Sequence, residues 1–435
     1  MVLVRCELVM SESMAELFTA ALGIAAPWQV EKVRFVPEAH EIHFDLVCKA
    51  SRLPCPRCGA ADQPIHDRVA RDWQHLHFFQ YRAFLHAQVP RVRCAVCGER
   101  NDGKGEVAQV AVPWSRERSG FTLLFEAMVV TLAGMSRMPV RRIAQLLGVR
   151  DGRLWRSLRA LVETAYAEAD MSKVTAVGID EKHIGRGRVV TVVHESRPAH
   201  AGGPRVLHIS EGAKADNVDQ FVAELATHGG DPQAVQACTL DMARSYIAGV
   251  AKHLPNAQAC FDPFHLVKLC NEALDAVRRG EVAQQPVLKR TRYHWLKDAA
   301  DWTDREVDLH WLRHSGLKTA RAWRLKERLR DILAWRHYPQ IPVVTLLDQW
   351  ISWARRCRLS PFKRLAQTFK THLEGIRYML TRANSNAAAE SINADIQGAI
   401  ARARGFRTFE NLCTIVYLLK GKLKLPASPF QPSVA

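Results

Sequence analysis

Two short runs, "CPRCG" at 55–59 and "CAVCG" at 94–98, constrain this 435-residue chain more than any other feature. Each sets two thiols a tight turn apart, the spacing at which they can share one tetrahedral ion. A glycine follows each pair, Gly59 and Gly98, and permits the positive φ that such turns need. Together Cys55, Cys58, Cys94 and Cys97 make a closed four-thiolate site for one structural Zn2+, with no open position for chemistry. The 35 residues between Cys58 and Cys94 exceed a compact ribbon, so a hairpin must lie between the pairs. His66, His75 and His77 lie nearby and read as surface imidazoles. The other seven cysteines (Cys6, Cys48, Cys238, Cys260, Cys270, Cys357 and Cys413) mostly sit among apolar residues and read as small core residues, not as a disulfide scaffold.

The charge balance points to a polyanionic partner. The net charge is +17 and the pI near 9.6, as for a nucleic-acid binder. Residues 281–382 hold 21 Lys and Arg against 10 Asp and Glu, a net of +11, so one segment carries most of the excess. No run of about 18 uncharged apolar residues suggests a membrane span. The start, "MVLVRCELVM", is broken by Arg5 and Glu7 and is too short for a signal-peptide core. A cytoplasmic, bacterial-type protein is expected.

Along the chain the hydrophobic period changes several times. Residues 12–24 read as a helix, and "WQVEKVRFV" and "EIHFDLVC" as two strands around Pro37-Glu38-Ala39. Residues 119–165 read as consecutive helices. Within them Arg141–Leu147, a turn at Gly148 and Asp151–Thr164 have the shape of a helix-turn-helix, with Arg150, Arg153, Arg156 and Arg159 offered at three-residue steps to DNA. From residue 174 three meandering strands are followed by alternating helices and strands, which implies a mixed sheet covered on both faces. Beyond residue 281 only helical patterns appear. The fold class is multidomain α+β.

Three carboxylates stand out. Asp180 ends the first strand of the central domain and Asp241 the fourth, and strand ends in an open sheet project into the ligand crevice. Each alone reads as a turn-former. In "NSNAAAESIN", Asn386, Glu390 and Asn393, with Gln397 beyond, form a polar stripe on an otherwise small, apolar helix, which places Glu390 on a packed face. The three together are suited to two hard divalent cations.

The segments "GIDEKH" (178–183), "TLDMARSY" (239–246), "PNAQACFDPFH" (255–265) and "NSNAAAESIN…ARARGFRTFEN" (384–411) resemble those of DDE transposases of bacterial insertion sequences, of the ISL-three type. The zinc knuckles and "WQHL" at 73–76 fit that family's N-terminal region, and the resemblance covers nearly the whole chain. It implies an RNase H-like mixed α/β catalytic domain interrupted by an all-helical insertion. The implied domains are 1–112 (zinc-binding), 113–170 (helix-turn-helix), 171–280 (catalytic core, first part), 281–382 (basic helical insertion), 383–425 (catalytic helix) and 426–435 (tail). Asp180, Asp241 and Glu390 would then be the catalytic triad, holding two Mg2+ or Mn2+ ions. Strand alternation lets only one of Asp180 and Glu181 reach the metals, and the family motif favours Asp180. Asp262 and His265 would support them, or form a structural pair at a helix start, with Asn386 and Asn393 lining the same groove. Arg402, Arg404 and Arg407 are further candidates for gripping DNA. The implied partners are terminal inverted repeats, target DNA and a second copy of the chain. A non-catalytic zinc and helix-turn-helix regulator, or an RNase H-like nuclease that does not join strands, are the rival functions.

Overall fold

The computed structural model describes residues 12–100, 106–185, 187–197, 203–213, 216–297, 311–381 and 387–428. The chain divides into two compact units. The first comprises residues 1–166 with 401–419 and 423–435; the second comprises residues 167–400 with 420–422.

In the first unit α1 (Glu12–Ala21) precedes the hairpin of β1 (Trp28–Val36) and β2 (Glu41–Cys48), closed by a 3-10 turn at Pro37–Ala39. After β3 (Arg52–Leu53) comes the long hairpin of β4 (Gln63–Phe78) and β5 (Tyr81–Arg93), which spans the gap between the cysteine pairs. The strand order is β1-β2-β5-β4-β3, with β6 (Val107–Gln109) also paired to β5. Every second residue of β2 is buried, which is the signature of a sheet with one covered face. That face is filled by Phe44, Leu46, Leu85 and three tryptophans. Trp114 meets Trp28 and Trp73 edge-on, with centroids 4.9 and 5.4 Å away.

Helices α3 (Leu123–Gly134), α4 (Val140–Leu146) and α5 (Asp151–Ala167) follow a short α2 (Ala95–Arg100). The buried Glu126 of α3 ties them to the preceding loop. It accepts both bonds of the Arg116 Nε at 2.9 and 3.0 Å, one from Ser119 Oγ at 2.8 Å and one from Ser157 Oγ at 2.7 Å. A buried carboxylate satisfied so fully is a structural node, because losing its partners would strand a charge. The C-terminal helix Phe409–Lys420 belongs largely to this unit: Tyr417 packs on Tyr166 at 4.4 Å and Phe406 on Trp155 at 6.4 Å. The expected segment 383–425 is therefore split near residue 400.

The second unit is built on β7 (Ala176–Gly185), β8 (Arg188–Glu195), β9 (Val206–Glu211), β10 (Ala237–Leu240) and β11 (Gln258–Phe261), in the order β11-β10-β7-β8-β9. The β7-β8-β9 meander is antiparallel, and β10 and β11 run parallel to β7. Helix α6 (Asp216–Thr227) packs on β9, and α7 (Arg244–His253) on α6 and β10. The long α8 (Pro263–Glu281) leads into α9 (Arg292–Leu296), α10 (Trp311–His314), α11 (Lys318–Trp335), α12 (Val343–Arg356), α13 (Ser360–Thr371) and α14 (Leu373–Thr381). Two buried charges are spent on capping there. Glu281 accepts the N–H groups of Lys318 and Thr319 at 2.8 and 2.7 Å, at the start of α11. Lys326 donates to the carbonyls of Trp295 and Lys297 at 3.0 and 2.9 Å, at the end of α9. Helix α15 (Ala387–Ala403) completes the unit.

Candidate functional site

Parallel pairing aligns three aspartates. Thr239 of β10 faces Gly178 of β7, and Leu240 faces Phe261 of β11. Carried one or two residues further, the same register sets Asp241 level with both Asp180 and Asp262. Neighbouring strands are about 4.8 Å apart, so the row puts three carboxylates level on adjacent strands. Asp241 and Asp262 follow the last residues of β10 and β11, but Asp180 does not end its strand as expected: β7 stays paired with β8 as far as Gly185, so Asp180 stands midway along it. These three, with His194, His265 and Ala389, line one small cleft.

Local bonds orient each carboxylate. Asp180 Oδ1 accepts the Glu181 N–H at 2.8 Å and Oδ2 accepts the Asn393 side-chain amide. Asp241 Oδ1 accepts the Ala243 N–H at 2.9 Å. Asp262 is the N-cap of α8, accepting the Phe264 N–H at 2.8 Å, with Pro263 at the first helical position. Its other oxygen lies 3.2 Å from His265 Nδ1, and that bond raises the imidazole pKa against the effect of burial. Asp262 and His265 are thus both a helix-start pair and part of the cleft.

The strand alternation is visible in the partners. Asp180 faces the cleft; Glu181 faces α7, where it hydrogen-bonds Tyr246. Tyr246 in turn meets Thr191, the residue opposite Glu181 on β8, at 2.7 Å. Burial and the nearby Asp241 carboxylate hold Glu181 above the usual carboxylate range.

Helix α15 meets the cleft differently from its polar pattern. Its buried positions are Ala389, Ile392, Ile396 and Ala399, while Asn393 is half-buried and Glu390 and Gln397 are exposed. Glu390 is therefore not on the packed face: it stands beside Ala389, one turn before the Asn393 that reaches Asp180. The reason is helix geometry, since the small and branched apolar residues at three- and four-residue steps take the sheet side and rotate Glu390 off it. Asn386 lies outside the described residues.

His194 was not singled out by its sequence. It is 3 % exposed, sits opposite Gly178 and lines the cleft, and burial lowers its pKa. A Cβ on Gly178 would come within 2.4 Å of its ring, so the glycine in "GID" is the space the imidazole occupies. The available signal was a histidine at the end of the apolar strand "RVVTVVHE".

The donor set of the cleft is rich in carboxylate oxygen, which suits Mg2+ or Mn2+. The four thiols of the first unit fit zinc more closely. Among the described residues they alone form a group of three or more ligand atoms within 4.8 Å of one another. Cys55 and Cys97 sulfurs are 3.8 Å apart and Cys58 and Cys94 3.5 Å, near the roughly 3.8 Å between thiolates held tetrahedrally at about 2.3 Å from Zn2+. Gly59 has the positive φ its turn needs (75°); Gly98 does not, because α2 carries that knuckle as a helical turn. Burial pushes the Cys55 thiol up, but backbone N–H groups of Cys58 and Arg57 outweigh it and bring it down to about 6. His66 and His77 are exposed as expected, whereas His75 is half-buried and bonds Thr122 Oγ1 at 2.8 Å.

The helix-turn-helix pattern is present as α4, a turn at Gly148 (φ 63°) and α5. Its four arginines do not share a face. Arg150 precedes α5, and within the helix, at about 100° per residue, Arg153 and Arg159 lie about 120° apart. Arg150 and Arg156 are exposed. Arg153 lies over the Phe121 ring at 4.5 Å and bonds the Gly120 carbonyl, and Arg159 bonds Asn411 at 3.2 Å. Arg402, Arg404 and Arg407 are all exposed. No helix among the described residues is long and apolar enough to cross a membrane.

Comparisons with known proteins agree along the chain. A family model described as "Transposase" matches residues 177–416. The "Helix-turn-helix domain of transposase family ISL3" matches 110–162, and the "zinc-finger of transposase IS204/IS1001/IS1096/IS1165" matches 52–97. The chain is 29 % identical to the "Transposase for insertion sequence element IS1557" of Mycobacterium tuberculosis, in an alignment covering 92 % of this chain and 94 % of that one. It is 26 % identical to the "Transposase for insertion sequence element IS1001" of Bordetella parapertussis, over 88 % of this chain and 93 % of the relative.

Proposed function

The chain belongs to the ISL3 family of transposases, and from that premise we propose that it cuts and joins DNA at the ends of an insertion sequence, using Asp180, Asp241 and Glu390. The observation that carries this reading is the level row of Asp180, Asp241 and Asp262 on three neighbouring parallel strands, with Asn393 of α15 bonded to Asp180. We read the second unit as an RNase H-like catalytic domain, with the basic helices up to Thr381 as an insertion. Asp180 and Asp241 would hold Mg2+ or Mn2+ from the sheet and Glu390 from the rim, where its exposed carboxylate is open to ion and substrate alike. Two such ions, when bound, would lower the pKa of an attacking water or 3′-hydroxyl and stabilise the departing oxygen.

The chain's own residues prepare that chemistry. Asn393 and the Glu181 N–H fix both oxygens of Asp180, so little reorganisation is left for the reaction. In the first unit the zinc site would stiffen the fold, while Arg150, Arg156, Arg402, Arg404 and Arg407 would contact terminal inverted repeats. Two ends cut together require two protomers, so a homo-oligomer on DNA in the bacterial cytoplasm completes the reading.

The test is a cleavage and strand-transfer assay with end-bearing DNA and Mg2+. Asp180→Asn, Asp241→Asn and Glu390→Gln should each lower turnover by at least about a hundredfold while sparing end binding. Joined product from a pre-cut 3′ end separates a transposase from a plain nuclease, and metal-dependent cutting separates both from a regulator. Asp262 lines the cleft and Glu390 does not, which favours one second reading, with Asp262 as the third carboxylate. Normal turnover of Glu390→Gln beside a dead Asp262→Asn would select it.

A further inference from the structure

A groove begins one residue from the acidic cleft. Its cavity of about 680 Å³ lies along α8 and α9, within the range of built ligand sites. At its head is Phe264, 66 % exposed although it sits in the first turn of a well-anchored helix. The Asp262 cap holds the Phe264 backbone, so the ring is anchored at a fixed point of α8, two residues from the cleft's Asp262. Along the walls Lys268, Arg278, Arg279 and Arg292 bring four positive charges against the two carboxylates of Glu272 and Asp275, a surplus of two. Asp275 is the shared partner of the three arginines, at 2.8, 3.4 and 3.5 Å, and one carboxylate cannot neutralise three guanidinium groups. Arg279 and Arg292 remain 68 % and 54 % exposed.

An open aromatic face followed by surplus cations is the pairing that binds unstacked nucleotides: every base has a π-face to stack, and every linkage has a phosphate to neutralise. A duplex hides its base faces, so it could use the cations but not Phe264. We propose that this groove holds an unpaired DNA segment next to the scissile phosphate, with a base on Phe264 and its phosphates on Lys268, Arg279 and Arg292. The proposal rests on the transposase chemistry set out above, and adds that the DNA end is opened before or during cutting.

The experiment uses the full zinc-loaded chain and element-end duplexes, either fully paired or with an unpaired terminal tract, carrying 2-aminopurine beside the cut site. Wild-type protein should bind the unpaired end more tightly than the paired one. Phe264→Ala should lose roughly fivefold or more on the unpaired end alone, with Phe264→Trp retaining affinity. Arg279→Ser, a second exposed position, should weaken binding of the unpaired end and flatten its salt dependence, because a phosphate contact is lost; unchanged affinity for that end would overturn the groove. Equal binding of both ends by wild-type protein, or equal losses on both ends in Phe264→Ala, would overturn the groove. A wild-type protein that never cuts, yet still shows the Phe264-dependent preference, would sink the transposase reading and leave the groove standing.

Discussion

His75 shows how a single side chain can tie stability to pH. Burial pushes its imidazole down to about 4, while the unfolded chain titrates near the usual 6.5. Below that value the unfolded state takes up a proton that the folded state refuses, so stability is greatest above about pH 6.5 and drains as pH falls toward 4. The loss should be of the order of 1–3 kcal/mol, since the ring keeps some contact with solvent. Urea unfolding of wild-type and His75→Gln proteins between pH 7 and 4.5 checks this; parallel curves would refute it. His75 sits in a strand whose neighbours Asp72 and His77 are exposed, so neither composition nor alternation marked it for burial. Only the approach of Thr122 does so. The arginines of α5 teach the converse: Arg153 and Arg159 have the chemistry of DNA contacts and spend it on Phe121, Gly120 and Asn411.

At the scale of elements, packing distance decides what the sheet of the second unit can carry. Helix α14 lies so close to β11 that a Cβ on Gly375 would come within 2.4 Å of the Phe261 ring and 3.0 Å of the Ala259 carbonyl. The backbone neighbour cannot yield, so Gly375→Ala should cost about 1–3 kcal/mol through overpacking and should shift β11 together with Asp262. Thermal unfolding beside metal-dependent cleavage measures both effects, and an unchanged melt would show that the contact is soft. Helix α15 obeys the same rule from the other side. Its Ala389 brings it close to the strands, and its polar stripe is legible in sequence, but which edge of the stripe meets the sheet is not. The amphipathic period fixes a face to within a residue or two, and Glu390 and Asn393 lie within that margin.

For the whole molecule, the zinc site is the clearest dependence. A small sheet domain closed by four thiolates draws folding free energy from its ion. Chelation, or Cys55→Ser with Cys58→Ser, should strip about one zinc per chain and destabilise the first unit. End binding should then fall. Metal content and end-binding affinity measured on the same sample test this; full binding by zinc-free protein would make the site dispensable. The division of the chain carries a second lesson. Residues 401–419, from the last turn of α15 onward, belong with the first unit, because Tyr417 and Phe406 find their aromatic partners on α5. That assignment depends on contacts more than 230 residues apart in the chain.

The sequence by itself determined most of the elements and the four-thiolate zinc site, and it marked the candidate carboxylates. Thiol spacing specified the metal knuckles, apolar period specified the meander, the alternating core and the helix-turn-helix, and aspartates in or just after apolar strands marked the candidate carboxylates. These are local properties, written in spacings of a few residues. Tertiary structure alone decided the register that levels Asp180, Asp241 and Asp262, the burial of His194 against Gly178, the rotation of Glu390 away from the packed face, and the division of the arginines between core and surface. Each of these follows from two segments meeting, and a segment's own pattern does not encode the surface that its partner brings.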